Sequence, residues 1–370
     1  MSYKRLVAKF GTNLLTGGTD NLDYNIMSNL VQQVAHLHSK GHEIIIVSSG
    51  SVAVGKQKLG ITKNHKDVPF KQVLASIGQN QLMHTYQDLF SQYNITVAQA
   101  LLTRTDLSGR AGYLNARNTL LTLIELGVIC IVNENDVVAT DEIGGVRFGD
   151  NDNLSAMVAN LIDADLLALL TDIDGLYTAD PLCNPDAKLI PQVKKIDSKI
   201  ECLASNATST HGIGGMITKI EAAKLATSSG VTMIIANGKN TDALKQIVTG
   251  NNIGTIFPPR TSKMESKKRW MLSRLASRGT IIIDSGAASA LKKQNKSLLP
   301  AGIVNVEGKF KRGDAVDISD TKSNHIGCGI SNYSVKDVTI IKGSHSDAIP
   351  DLLGYQYGTE VIHRNNMVLI

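Results

Sequence analysis

Four consecutive apolar residues, Ile44-Ile45-Ile46-Val47, sit inside a short β-rich run from Glu43 to Ser49. A strand with one wet face alternates apolar and polar side chains. A strand apolar at every position is covered on both faces, as in a parallel sheet. Parallel neighbours cannot be joined by tight hairpins and need crossover connections, usually helices.

The chain supplies such connections. Leu6 to Phe10 reads as a strand, and Asp23 to Lys40 carries Ile26, Leu30, Val34 and Leu37 at helical spacing, with Gly41 as a stop. After the strand at 43–49 come a helical pattern from Lys71 to Phe90 and a strand from Ile95 to Thr103. A helix from Ala111 to Leu126, stopped by Gly127, leads into a strand from Val128 to Asn133. The helix–strand alternation then repeats with Asn153 to Ile162 and Asp165 to Thr171, and again with Met216 to Ser229 and Val231 to Ala236. The expected fold class is α/β, a mostly parallel central sheet with helices on both faces.

Beyond Phe257-Pro258-Pro259 the texture changes. Five short β-rich runs broken by Gly and Pro are expected as strands: Ile281 to Ile283, Ile303 to Val306, Ala315 to Ile318, Val338 to Ile341 and Val361 to His363. The reading is a catalytic domain over 1–258, a basic linker over 259–277 and a small β-rich domain over 278–370. The linker holds Arg260, Lys263, Lys267, Lys268, Arg269 and Arg274 against Glu265. With 370 residues, 42% of them hydrophobic and 19% charged, the chain is globular and long enough for two cores. The net charge of +5 is mild and suits anionic small substrates.

Several function classes are disfavoured. The four cysteines, Cys130, Cys183, Cys202 and Cys328, are far apart and form no C-x-x-C pair, which argues against a zinc site. The N-terminal residues lack the apolar stretch of a signal peptide, and no apolar run reaches membrane-spanning length, so the expected compartment is the cytoplasm. Aromatics are 4% of the chain and are not interleaved with basic residues, which argues against nucleic-acid stacking.

In parallel sheets ligands sit beyond the carboxyl ends of the strands. The polar residues there are Lys9-Phe10-Gly11-Thr12, Ser48-Ser49-Gly50, Asn133-Glu134-Asn135-Asp136 and Thr171-Asp172. Gly50 to Gln57 nearly matches a P-loop, but Gln57 stands where a Ser or Thr hydroxyl would bind magnesium. His211 to Lys219 is a glycine-rich loop running into a helix. It suits a phosphate, and it equally suits a flexible loop with a solvated lysine. Lys9, in a strand of buried character, either meets an anion or snorkels to the surface. Gly149-Asp150-Asn151-Asp152-Asn153 holds more Asp and Asn than one helix cap requires, and suits an amino acid's ammonium and carboxylates. Thr171 to Pro181, with Gly175-Leu176-Tyr177 and Asp180-Pro181, is the most distinctive string.

Together these strings resemble the amino-acid kinase family, and most closely its branch that phosphorylates the side-chain carboxylate of glutamate. Ser297 to Ile303 and Gly308 to Asp314 are similar to the PUA domain that this branch often carries at its C-terminus. The resemblance implies an α/β/α sandwich followed by a PUA-like domain. It implies that Lys9 and Lys219 flank the transferring phosphoryl group and that Asp152 holds them. Ser49, Asp136 and Asn151 would bind glutamate, assisted by Asp150. ATP would be held by Lys9, Thr171, Asp172 and the segment Ile213, Gly214, Gly215, Met216, Ile217, Thr218 and Lys219. Magnesium would travel on the nucleotide, with no metal site of the protein's own. The resemblance also implies feedback inhibition by proline, assembly into dimers or tetramers, and a reductase that consumes the acyl phosphate. Two competing readings are a family member acting on another carboxylate or phosphate, and an RNA-binding role of the PUA-like domain.

Overall fold

The computed structural model describes residues 3–19, 21–61, 67–139, 151–181, 183–205, 215–251, 253–262, 277–294 and 296–369. It divides into two compact units, Met1–Ser108 with Ala116–Lys263, and Gly109–Asn115 with Met264–Ile370.

The first unit is built on a seven-stranded sheet of β1 (Arg5–Phe10), β2 (Glu43–Ser48), β3 (Val97–Leu102), β4 (Ile129–Glu134), β5 (Leu166–Thr171), β6 (Thr232–Asn237) and β7 (Thr255–Phe257). The order is β3-β4-β2-β1-β5-β6-β7. Every pairing is parallel except that of β6 with β7. The doubly apolar run at Ile44–Val47 is buried throughout, as a central strand demands. On β1 the two-residue period divides the side chains. Leu6, Ala8 and Phe10 join the main core, whereas Val7 and Lys9 point to the opposite face.

The crossover helices are α1 (Thr12–Leu15), α2 (Tyr24–Ser39), α3 (Ser51–Leu59), α4 (Val68–Ser91), α5 (Arg104–Ser108), α6 (Arg110–Glu125), α7 (Asn151–Leu161), α8 (Ser198–Ser205), α9 (Met216–Ser228) and α10 (Ala243–Val248). Asp23 caps α2 by accepting from the Ile26 backbone N–H, and Gly41 follows that helix at φ +84°. The run that imitates a P-loop is not a loop. It is α3, with Gly55 and Lys56 inside the helix. Its glycine serves packing: a Cβ on Gly55 would sit 2.0 Å from the Leu74 carbonyl oxygen, and one on Gly78 only 1.8 Å from that of Ser51. Helices α3 and α4 therefore meet backbone to backbone.

The second unit holds β8 (Gly279–Ile283), β9 (Ile303–Gly308), β10 (Ala315–Asp320), β11 (His325–Ile330) and β12 (Met367–Leu369), in the order β12-β11-β10-β8-β9. Ile281, Ile283, Val316, Ile318 and Phe310 are among its core residues. Two expected strands are corrected. Val338 to Ile341 lies in a helix, Val335–Ile341, because Ser334 and Asp337 form a reciprocal capping box that outweighs β-branched propensity. Val361 to His363 forms no strand; Ile362 makes only an isolated bridge with Leu298. The strands β11 and β12 are not anticipated in the sequence, since His325–Ile330 contains two glycines and Met367–Leu369 is three residues long. A helix at Ser285–Gln294 is likewise unanticipated.

Candidate active site

The strands β4, β2, β1 and β5 are neighbours, and their carboxyl ends are level. Phe10 pairs with Ser48 and with Leu170, and Val47 pairs with Val132. The polar residues at these four ends therefore lie side by side at one edge of the sheet.

Helix α7 crosses this edge with Asn151 and Asp152 in its first turn. Asp152 is the centre of the site. It is 0% exposed, and Lys9 and Lys219 are 6% exposed each, so three charges are withdrawn from water together. The Lys9 ammonium pairs with Asp152 Oδ1, and Lys219 Nζ lies 3.1 Å from Oδ2. The Thr218 hydroxyl stands 3.1 Å from the same Oδ2 and 2.8 Å from the Gly215 carbonyl oxygen. Burial by itself would push the Asp152 carboxyl up, but the Lys219 and Lys9 ammonium groups hold it well below the usual carboxylate range. Among the described residues, one carboxylate faces two ammonium groups in a poorly solvated spot. That is a ready place for an anion.

Asn151 faces the ends of β2 and β4. Its Nδ2 lies 2.9 Å from Ser49 Oγ, 2.9 Å from Asn133 Oδ1 and 3.1 Å from the Ser48 carbonyl oxygen. Its Oδ1 is buried and has no hydrogen-bond partner among the described residues. Asp136 follows β4, and the Ser51 hydroxyl donates to its Oδ2 over 3.2 Å. A pocket of about 460 Å³ opens beside Asp136, lined also by Gln79, Gln99, Glu134 and Asn135. At the end of β5, the Thr171 hydroxyl donates to Asp172 Oδ1 over 3.0 Å, and Asn13 Nδ2 reaches Asp172 Oδ2 over 3.3 Å. The following turn is clamped by Thr255, whose hydroxyl accepts from the Leu176 N–H at 2.8 Å.

The structure thus brings Lys9, Lys219 and Asp152 into one cluster, with Ser49 and Asn151 beside it. Gly215, Met216, Ile217 and Thr218 form the approach to Lys219 at the start of α9. Asp150, Ile213 and Gly214 lie outside the described residues. Sequence reading did not single out Asn133, Gln79, Ser51 or Asn13. Asn133 stood within a quoted motif, and Gly78 inside a long helical pattern was an available signal of close approach. Among the described residues no group of three or more His, Cys, Asp or Glu could hold a metal ion. No helix among them is long and apolar enough to cross a membrane.

The chain is 58% identical over 368 residues to a glutamate 5-kinase of Dehalococcoides mccartyi (strain ATCC BAA-2266 / KCTC 15142 / 195), covering 100% of this chain and 99% of the relative. It is 50% identical over 366 residues to a glutamate 5-kinase of Herpetosiphon aurantiacus, covering 99% and 98%. A solved UMP kinase from Bacillus anthracis superposes on 70% of this chain and 98% of its own, with a TM-score of 0.47 and 16% identity. The PUA domain model matches residues 279–353. The model of the amino acid kinase family matches residues 4–237, the stretch that contributes Lys9, Asp152 and Lys219, and the chain belongs to that family.

Proposed function

We propose that the chain transfers the γ-phosphoryl group of ATP to the γ-carboxylate of L-glutamate, giving L-glutamyl 5-phosphate and ADP, the first step of proline biosynthesis. The observation that carries this reading is the buried pair of ammonium groups, Lys9 and Lys219, held by the single carboxylate of Asp152. Phosphoryl transfer spreads negative charge over the equatorial oxygens of a loose transition state, and fixed cations stabilise that charge without reorganising. The two lysines flank the phosphoryl group in transit, and Asp152 keeps both side chains in place. Magnesium, carried in on the nucleotide phosphates, supplies further positive charge.

The acceptor carboxylate has an unperturbed pKa of about 4.3 and is ionised near neutrality. It needs no general base, and Asp152, the carboxylate described in the cluster, is engaged by the two lysines. Asp136 and Asn151 Oδ1, which has no partner among the described residues, suit the substrate ammonium, and Ser49 its carboxylate, with Asp150 assisting. Thr171, Asp172 and the segment from Ile213 to Lys219 hold ATP. The names of the two relatives match this choice of acceptor.

The finer assignments belong to the same proposal. The catalytic domain spans 1–258, the linker 259–277 and the PUA-like domain 278–370. The enzyme works in the cytoplasm as a dimer or tetramer, is inhibited by proline, and passes its labile product to a glutamyl phosphate reductase. The test is ADP formation with ATP, Mg²⁺ and a panel of acids, trapping the acyl phosphate with hydroxylamine. Glutamate-dependent hydroxamate is the expected result. ADP formation that responds to another acid and not to glutamate would overturn the choice of acceptor.

A further inference from the structure

We infer that Gln79 is a positioning residue for the acceptor site, acting through a chain of buried amides that fixes which way Asn151 faces. This inference rests on the proposed reading of Asn151 as part of the acidic-substrate pocket.

Gln79 lies on α4 and touches neither Lys9 nor Asp152 by any hydrogen bond described for it. Its Oε1 accepts from Asn133 Nδ2 over 2.7 Å. That bond anchors the next amide in the orientation that the Glu134 backbone N–H also requires. With its nitrogen committed to Gln79, Asn133 presents Oδ1 to Asn151 Nδ2 and to the Glu134 backbone N–H, each at 2.9 Å. Asn151 must then turn its own nitrogen toward Asn133, Ser49 and the Ser48 carbonyl. What is left over is Asn151 Oδ1, a buried acceptor without a partner among the described residues. The Glu134 N–H and the Ser48 carbonyl set the same directions from the backbone, and Gln79 Oε1 holds the other end of Asn133 so that the series stays in place. A primary amide has one accepting and one donating end, so reversing any member would set two like ends against each other.

Two further observations fit a polar task for Gln79. It is 9% exposed, and its Nε2 is buried with no hydrogen-bond partner among the described residues. A side chain kept there for shape alone would be apolar, since an unpaired buried donor is costly. In addition, Gly78 lets α4 approach α3 until their backbones touch, which carries the adjacent Gln79 to the end of β4. A larger residue at 78 would hold the amide away from Asn133.

The test compares Gln79→Met, which keeps length and loses the acceptor, with Gln79→Glu, which keeps an accepting oxygen whether or not it is protonated. Gln79→Met should raise the KM for glutamate about tenfold, while kcat and the KM for ATP stay within about twofold. Gln79→Glu should restore a KM near that of the parent chain. An unchanged KM in Gln79→Met, an equal loss in Gln79→Glu, or a parallel rise in the KM for ATP would overturn the inference. If Gln79→Met does not fold, Gln79→Asn, too short to reach Asn133, is read in the same way. Should the panel turn over a different acid, the acceptor assignment fails while the same KM split is read on that acid. Should no acceptor be turned over, the ¹⁵N side-chain amide signals of Asn133 and Asn151 decide. They should exchange slowly in the parent and in Gln79→Glu and quickly in Gln79→Met, and equal exchange in all three would overturn the inference.

Discussion

The Lys219 ammonium lies 3.1 Å from the Asp152 carboxylate, and neither side chain has appreciable access to water. Asp152 stands in the first turn of α7 and Lys219 in the first turn of α9, so two helix starts are locked together at the edge of the sheet. The second oxygen of the same carboxylate takes Lys9 from β1, which makes Asp152 the joint between strand and helices.

Asp152→Asn should therefore destabilise the fold as well as abolish turnover. Removing the anion takes from two buried ammonium groups the carboxylate that pairs with both, a loss of about 3–5 kcal/mol. The pH dependence has a definite sign. The folded-state pKa of Asp152 is below its unfolded value of about 3.9, so its contribution is fully present above that value and is lost as pH falls below it. Denaturant unfolding at several pH values should give a constant gap between parent and variant from about pH 5 upward. The gap should shrink below about pH 4.

Asp136→Ala should raise the glutamate requirement more than the ATP requirement. Asp136 sits beyond β4 and takes a hydrogen bond from Ser51, on the side of the site away from Thr171 and Asp172. Loss of a charge-assisted contact predicts roughly a tenfold to hundredfold rise in KM for glutamate. Steady-state kinetics with each substrate varied in turn would check it. Equal effects on both substrates would contradict the placement.

Gly55→Ala and Gly78→Ala should each destabilise the first unit by about 1–3 kcal/mol, because a Cβ at either position would overlap the facing helix backbone. Thermal unfolding of the two variants would measure it. Both should also weaken glutamate binding, because each pushes α4, and Gln79 with it, away from α3.

The legible part of the fold was the part governed by periodicity. The run Ile44–Val47 announced a strand covered on both faces, and the helical spacing after Asp23 ended at a glycine as expected. The misreadings came where local chemistry overruled composition. The β-branched residues from Val338 to Ile341 coil because Ser334 and Asp337 cap them, and the P-loop imitation is a helix whose glycine serves packing. For the site, Lys9 was ambiguous in sequence because nothing local names its partner. Asp152 is far away along the chain, and only the sheet order β2-β1-β5 with α7 laid across it brings the two together. Gln79 was invisible for the same reason: its informative contact is with Asn133, on a strand one crossover later.

If two cations act on one phosphoryl group, as proposed, the single-turnover rate of phosphoryl transfer in Lys9→Ala and Lys219→Ala reads it directly. With ATP, Mg²⁺ and glutamate saturating, each variant should fold and transfer at least about a hundredfold more slowly than the parent. The double variant should be little slower than the worse single one, since the lysines act as a unit through Asp152. Transfer at the parental rate by either single variant would contradict the account.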